Sequence, residues 1–499
     1  MWRASGFLLV TLLALPLAAC AAAVKPPPAE SAAPRPIRAG LDPAARPDPF
    51  PSTYEAPAAP PVLIVNATIL TAAGPRIDGG SLLIRDGKVA AVGRDVARPA
   101  DVRVIDAAGR WLTPGLVDPH AHIGAGSSPS GANGDGSNES GPNPGGIWIE
   151  HTVWTQDPMF ERALQAGVTT IQILPGSSNL FNGRTVTLKN VPALAPQGMK
   201  FPGAPYGLKM ACGENPTGGG GGRPGTRAGG MMGYRNTFIS AQEYAQRWAD
   251  WRRRGSGDPP RRDLMLETVA AALTGDIKVH IHCYRADEMI QMIDLSHEFG
   301  FRIAAFHHAL EAFKIAPLLA REKIAVVTWA GDWSGYKMEA YDSVMETAAF
   351  VQKAGGVAAM HSDDVRLIQH LNHEAARAMT AGREAGLGTT PEDAIAWVTI
   401  NAARVIGIDD RTGSLEAGKA ADVVLWSADP LSVYSLPDLV FIDGALAYDR
   451  AAPPSPPRSD FELGNARRPV SPPRPAPKGL DVPGLSGQGS DAKGTGTPR

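Results

Sequence analysis

Short runs of β-branched and apolar residues begin at Val62 and recur as far as residue 450, separated by glycines and polar stretches. Residues 62–70, 81–84, 89–92 and 102–105 read as strands, and Asp86-Gly87 between two of them is a hairpin-turn pair. Residues 421–426 and 439–444 supply strands of the same kind near the other end. Each group has too few strands to bury a core alone. The pattern therefore predicts one β-rich domain assembled from residues 62–114 and 408–450.

Between these pieces the pattern alternates. Apolar runs at 168–174, 185–188, 206–212, 277–283, 301–308, 324–329 and 357–361 are separated by helical stretches, several of which close on glycines such as Gly167, Gly300 and Gly355. After Tyr284, Asp287 and Glu288 suit the positive start of a helix whose apolar face is expected from Met289, Ile290 and Ile293. With residues 116–123 the runs number eight, and eight parallel strands with outer helices can close into a barrel. Periodicity alone leaves an open doubly wound sheet available. The expected fold class is α/β: a (β/α)8 TIM-type barrel over 115–407 with a small composite β-sandwich domain built from both ends of the chain.

The ends have another character. Arg3, an apolar run over 7–17 and Ala18-Ala19-Cys20 read as an export signal of residues 1–19, too short to span a bilayer as a helix. Leu17-Ala18-Ala19-Cys20 resembles the lipobox of bacterial lipoproteins, which implies lipid on Cys20 and a membrane-anchored protein facing the periplasm or cell exterior. Residues 20–61, rich in Pro and Ala, read as an extended tether, and residues 451–499 as a Pro/Gly-rich tail; neither is expected to fold. The remaining cysteines, Cys212 and Cys283, are too few for a disulfide framework. Two buried free thiols are expected, although an oxidising periplasm would let them pair.

Composition narrows the classes. With 43% hydrophobic and 20% charged residues in 499, the chain is a soluble globular protein with core enough for two or three domains. A net charge of -2 and the lack of a basic stripe exclude nucleic acid as a partner. A homo-oligomer stays open.

Candidate chemistry gathers at strand ends. In Leu116-Val117-Asp118-Pro119-His120-Ala121-His122-Ile123, the two histidines are i and i+2 on a strand, so both imidazoles can reach one metal ion. Lys278-Val279-His280-Ile281-His282 puts His280 and His282 on one face, with His282 nearer the mouth. Phe306-His307-His308 gives adjacent imidazoles expected to face opposite ways, so that at most one points inward. Met360-His361-Ser362-Asp363 ends the last strand with a carboxylate, and Lys209 interrupts an apolar strand. An unpaired ammonium in a core is costly, which makes that lysine informative. Each of these residues taken singly has an ordinary structural role available; their recurrence on successive strands is what points to a metal site.

Taken in order, Pro114-Gly115-Leu116-Val117-Asp118-Pro119-His120-Ala121-His122, Lys209, His282, His308 and Asp363 resemble the amidohydrolase superfamily, most closely its imidazolonepropionase-like branch. The closing Thr399-Ile400-Asn401-Ala402-Ala403-Arg404, followed by residues 413–422, is similar to that family's return into its composite β-domain. The resemblance implies that His120, His122 and Asp363 bind a first divalent metal and His282 with His308 a second, the pair being Zn or else Mn, Fe or Co. It implies that Lys209 reacts with carbon dioxide and bridges the ions as a carbamate, with Lys189 as the rival for that role. Two cations repel an ammonium, whereas a carbamate offers one negative charge and two oxygens. Asp363 is then also the catalytic proton shuttle for attack by metal-bound hydroxide on a small amide, cyclic amide, dipeptide or N-acyl amino acid. His282 is followed by Cys283, Tyr284 and Arg285, with no early glutamate of the kind deaminase relatives carry, so deamination is disfavoured.

Substrate contacts are expected from loops above the strands. Residues 124–146 and 213–230 are Gly-rich insertions, and Trp329, Asp332, Trp333, Tyr336 and Lys337 follow the seventh strand as a more ordered wall. Tyr284 joins that group, while Arg184 or Arg285 could receive a substrate carboxylate. Two classes stay open: a hydrolase of carbon–nitrogen bonds, with lactone or phosphoester hydrolysis as variants of the same centre, or a surface lipoprotein that binds metal and ligand without turnover.

Overall fold

The computed structural model describes residues 40–44, 48–126, 136–139, 144–218, 222–331 and 333–452. The lipobox with Cys20, Asp332, the tail from residue 453 and parts of both Gly-rich insertions lie outside the described residues. Among the described residues, no helix is long and apolar enough to cross a membrane.

The chain first builds β1 (Val62–Ile69), β2 (Ile77–Arg85), β3 (Lys88–Gly93), β4 (Arg103–Asp106) and β5 (Trp111–Pro114). Arg85 pairs with Lys88 across a two-residue turn in which Asp86 and Gly87 have φ of 52° and 74°. Two successive positive φ values match the right-handed twist of the flanking strands, and Asp-Gly tolerates both. The chain then runs through β6 (Leu116–Ala121), α1 (Pro158–Gln165), β7 (Val168–Ile173), β8 (Phe181–Arg184), β9 (Val186–Lys189), β10 (Gly207–Ala211), α2 (Arg227–Arg254) and α3 (Leu264–Thr274). There follow β11 (Lys278–Cys283), α4 (Ala286–Phe299), β12 (Ile303–His308), α5 (Ala316–Glu322), β13 (Ala325–Thr328), α6 (Thr347–Lys353) and β14 (Ala358–Met360). Three helices, α7 (Leu371–Glu384), α8 (Pro391–Trp397) and α9 (Ile400–Ile406), lead into β15 (Val423–Trp426), β16 (Pro437–Ile442) and β17 (Ala445–Asp449).

These strands sort into three hydrogen-bonded sheets, of eight, six and three strands. Strands from both ends share one eight-stranded sheet in the order β17-β16-β15-β5-β1-β2-β3, with β4 beside β1. Its buried face is lined by Val62, Ile64, Ile69, Leu82, Leu112, Val423, Leu425 and Phe441. In the middle, β10 to β14 run parallel with helices between them, and β6 runs parallel to β7. The result is an α/β fold of TIM-barrel type.

One strand departs from the expected parallel set. Residues 181–189 form β8 and β9 in succession, antiparallel to β10 on one side and to β7 on the other. The link over residues 174–180 is far shorter than the dozen or more residues a parallel crossover needs, so the chain can only turn back. Two smaller expectations are also corrected. In α4 the buried face is Met289, Met292, Ile293 and Ser296, and Ile290 turns outward. The last part of the expected tether is fastened: Thr53 N donates to Gln197 O (3.0 Å), Ser52 Oγ to Lys200 O (2.7 Å) and the Tyr54 hydroxyl to Asp443 Oδ2 (2.5 Å).

Candidate metal centre

The ends of β6, β12 and β14 converge. Asp363 N donates to His120 O (2.9 Å), and the buried Asp118 carboxylate accepts from the backbone of His120 (3.1 Å) and of Ser362 (3.3 Å) and from the Ser362 hydroxyl. Burial pushes the Asp118 carboxyl up to about 7 despite these donors. It clamps β6 to the end of β14 and fixes where His120, His122 and Asp363 meet.

There, Asp363 Oδ1 lies 3.2 Å from His120 Nε2 and 3.0 Å from His122 Nε2. His122 Nδ1 is 2.8 Å from Leu174 O. A carbonyl can only accept, so Nδ1 carries the hydrogen and Nε2 is left with the lone pair a metal needs. Burial pushes Asp363 up, yet the neighbouring His122, His361 and Lys209 hold it well below the usual carboxylate range. Lys209 Nζ reaches His120 Nε2 at 3.1 Å, with no exposure of the side chain. Burial lowers that ammonium to about 7, opposed by Asp363.

A second set adjoins the first. Ligand atoms of His120, His308 and His361 lie within 4.8 Å of one another, as do those of His120, His122 and Asp363. The His282 ring is 4.4 Å from that of His308, and His282 Nδ1 meets the Ser177 hydroxyl at 2.9 Å. His282 Nε2, His308 Nδ1 and both nitrogens of His361 are buried and make no hydrogen bond. Unpaired buried nitrogens are costly, and this many in one place call for a cation. Burial holds His120, His282, His308 and His361 below their ordinary value, His361 at about 3, so all are neutral imidazoles, the ligating form. Nitrogen and carboxylate donors with a lysine fit a divalent metal such as zinc.

The candidates fall unevenly. His120, His122, Lys209, His282, His308 and Asp363 are brought together. Lys189 is not: its Nζ pairs with Asp443 (2.6 Å) and Asp422 (3.5 Å) of the other sheet. Tyr284 lies parallel to His308, ring centres 5.1 Å apart, and Lys337 Nζ sits 4.0 Å from the centre of its ring. Trp329 stacks on both His308 (4.6 Å) and His361 (4.5 Å), Trp333 on Trp329 (4.6 Å), and the largely exposed Tyr336 against Trp333 (5.7 Å). Arg184 is corrected as a carboxylate receiver: its guanidinium stacks 4.4 Å from Trp148 beside Tyr206, at the entering end of β10, and donates to Thr268. Arg285 is turned to Asp287 (3.0 Å), where its fork is already engaged.

Two histidines of the cluster, His361 and His307, were given no role in the sequence. His361 is two residues before Asp363, a spacing that could have flagged it. His307 and His308 both turn inward, against the expected alternation, because His308 and Ala309 adopt φ of 69° and 38° and end the strand there. The two cysteines also correct their expectation: Cys212 and Cys283 form a disulfide, Cα atoms 5.1 Å apart, at the adjacent ends of β10 and β11.

A histidine–carboxylate metal site at the strand ends of an α/β fold defines a metal-dependent hydrolase. The profile of the amidohydrolase family matches residues 341–449. A crystal structure of an amidohydrolase from Thermotoga maritima MSB8 is 33% identical with a TM-score of 0.70, covering 78% of this chain and 100% of that one. Amidohydrolase tasK of Hapsidospora irregularis is 33% identical over 428 residues, 79% of this chain, though the match spans only 42% of that protein's length. An imidazolonepropionase of Cupriavidus pinatubonensis is 27% identical over 70% of this chain and 83% of its own. The chain belongs to the amidohydrolase family and is an enzyme that hydrolyses carbon–nitrogen bonds.

Proposed function

We propose that this enzyme hydrolyses small amides, cyclic amides, dipeptides or N-acyl amino acids at a centre of two divalent ions, probed first as zinc. The observation that carries the reading is the set of buried, partnerless nitrogens on His282, His308 and His361 beside Asp363. His120, His122 and Asp363 would hold one ion, His282 and His308 the other, and Lys209 as a carbamate would join them. Burial favours that modification, since an amine near pKa 7 is partly neutral and able to take up carbon dioxide. The bound metal supplies acidified water, with a pKa of roughly 7, and polarises the substrate carbonyl. Asp363 accepts a proton at its carboxylate and returns it to the leaving nitrogen. Trp329 and Trp333 wall the histidines off from water, and Tyr284, held protonated by burial, is a donor next to His308.

The reading extends to the whole chain. The strands from β6 to β14 close as a barrel, and residues 62–114 with 408–450 make a composite β-sandwich; the shared sheet supports this. Lipid on Cys20 anchors the enzyme to a bacterial membrane facing outward from the cytoplasm, supported by the lipobox and by a disulfide suited to an oxidising compartment. Replacing Cys20 with Ser should release the protein from the membrane fraction; a wild-type chain that is soluble and begins after Cys20 defeats that part. The activity is tested with a mixed dipeptide and N-acyl amino acid library read by mass spectrometry, alongside metal analysis. Turnover that disappears on chelation and returns with zinc, manganese or cobalt is expected. Protein holding two ions without turnover on any substrate would make it a binding protein.

A further inference from the structure

His120 heads a line of three fully buried imidazoles that runs down from the candidate centre, and the other two, His307 and His280, have no part in the reading above. His120 Nδ1 meets His307 Nδ1 at 3.0 Å, and His307 Nε2 meets His280 Nδ1 at 2.9 Å. A neutral imidazole carries one hydrogen, on one ring nitrogen or the other. A line of three such rings has two orderings. In one, His120 Nδ1 donates to His307 and His307 Nε2 donates to His280, leaving His120 Nε2 as a bare lone pair. In the other, every hydrogen is reversed and His120 Nε2 is protonated, facing Lys209 and Asp363 as a donor. Only the first can ligate a metal.

We infer that His307, braced by His280, is a positioning residue that holds His120 in its metal-binding tautomer. The inference rests on the metal reading above. No ring changes charge in it; only the order of hydrogens along the line differs. The far end of the line is closely packed. In the first ordering His280 presents Nε2–H beside Gly207, where a Cβ would fall 2.6 Å from the His280 ring and 2.7 Å from Thr185 Oγ1. Gln172 donates to that same Thr185 oxygen (3.1 Å), and its own Oε1 is a buried acceptor without a partner. His280 Nε2 itself makes no hydrogen bond, so the order is set at the other end, where a cation on His120 Nε2 requires the bare lone pair and His307 Nδ1 is the acceptor that allows it. Partners that orient a metal-ligating histidine through its second nitrogen are commonly worth about 10–100-fold in metal affinity.

The test is zinc affinity by chelator competition on the full chain, for wild type, His307→Leu and His307→Asn. The Leu variant removes the acceptor and should weaken zinc binding by about 10–100-fold, with unchanged circular dichroism. The Asn variant places Oδ1 near the position of Nδ1 and should recover most of that loss, which a purely space-filling role would not predict. Nitrogen-15 spectra of zinc-loaded wild type should show His120 protonated at Nδ1. Unchanged affinity in His307→Leu, equal loss in Leu and Asn, or a protonated Nε2 on His120 overturns the inference; if the Leu variant does not fold, the spectrum decides. Wild type that binds no zinc removes the metal reading itself, a separate and recognisable failure.

Discussion

At the scale of the residue, the site turns on Lys209 and Asp363. An ammonium 3.1 Å from His120 Nε2 would oppose any cation placed there, so the proposed centre requires the lysine to lose its charge or reverse it. Lys209→Ala is expected to lose one metal ion and most activity, with partial rescue by a short added carboxylic acid. Metal analysis finding two ions in that variant would remove the bridge. Asp363→Asn keeps the fold but should lower turnover by a factor of about 10²–10⁴, the range for a general acid–base group, and near-normal rates would remove the proton shuttle. That His120, His122 and Asp363 lie together was legible, because strand alternation pairs the two histidines and the family resemblance adds Asp363. His307 was not, since reading it requires the positive φ of His308 and Ala309, and no side-chain pattern announces that turn.

At the scale of the element, the strands carrying Lys209 and His282 are adjacent, in parallel register, and tied at their upper ends. The Cys212–Cys283 disulfide closes a separation of 71 residues that includes α2 and α3. Constraining a loop of that length in the unfolded chain contributes about 2–4 kcal/mol. The double variant Cys212→Ser, Cys283→Ser should lower the urea midpoint accordingly, and reductant should destabilise wild type but leave that variant unmoved. An identical response of both to reductant would mean that the thiols are not paired in solution. The pairing was hidden in the sequence because two cysteines carry no spacing pattern, and only the β10–β11 register brings them together. The antiparallel β8 and β9 were hidden for a related reason: their apolar pattern is that of any buried strand, and direction is set by the short link before them.

At the scale of the whole molecule, strand counts made it legible that the strands of residues 62–114 and 408–450 would pair in one sheet, but what joins that sheet to the α/β body was not legible. The join includes a buried ion cluster. Lys189 on β9 pairs with Asp443 and Asp422, Asp422 accepts from Asp443 N (2.9 Å) and Thr412 Oγ1 (2.7 Å), and Tyr54 donates to Asp443. Breaking a buried pair from one side leaves the other charge stranded, at a cost of about 3–5 kcal/mol. Lys189→Met should lose about that much near neutral pH, with hydrogen exchange rising in β9 and β15–β17 together rather than in one alone. The pH dependence has a definite sign. Burial, then Asp422, already push the Asp443 carboxyl up, with Lys189 opposing them, so removing Lys189 raises it further. A carboxyl raised in the folded state is protonated there before it is in the unfolded chain. Its stabilising contribution is full below the unfolded value and lost as pH rises through the folded one. The deficit of Lys189→Met should therefore shrink as pH falls from 7 towards the unfolded carboxylate value of about 3.9. A deficit that is constant over this range in paired urea titrations would mean that the lysine acts by packing rather than by charge.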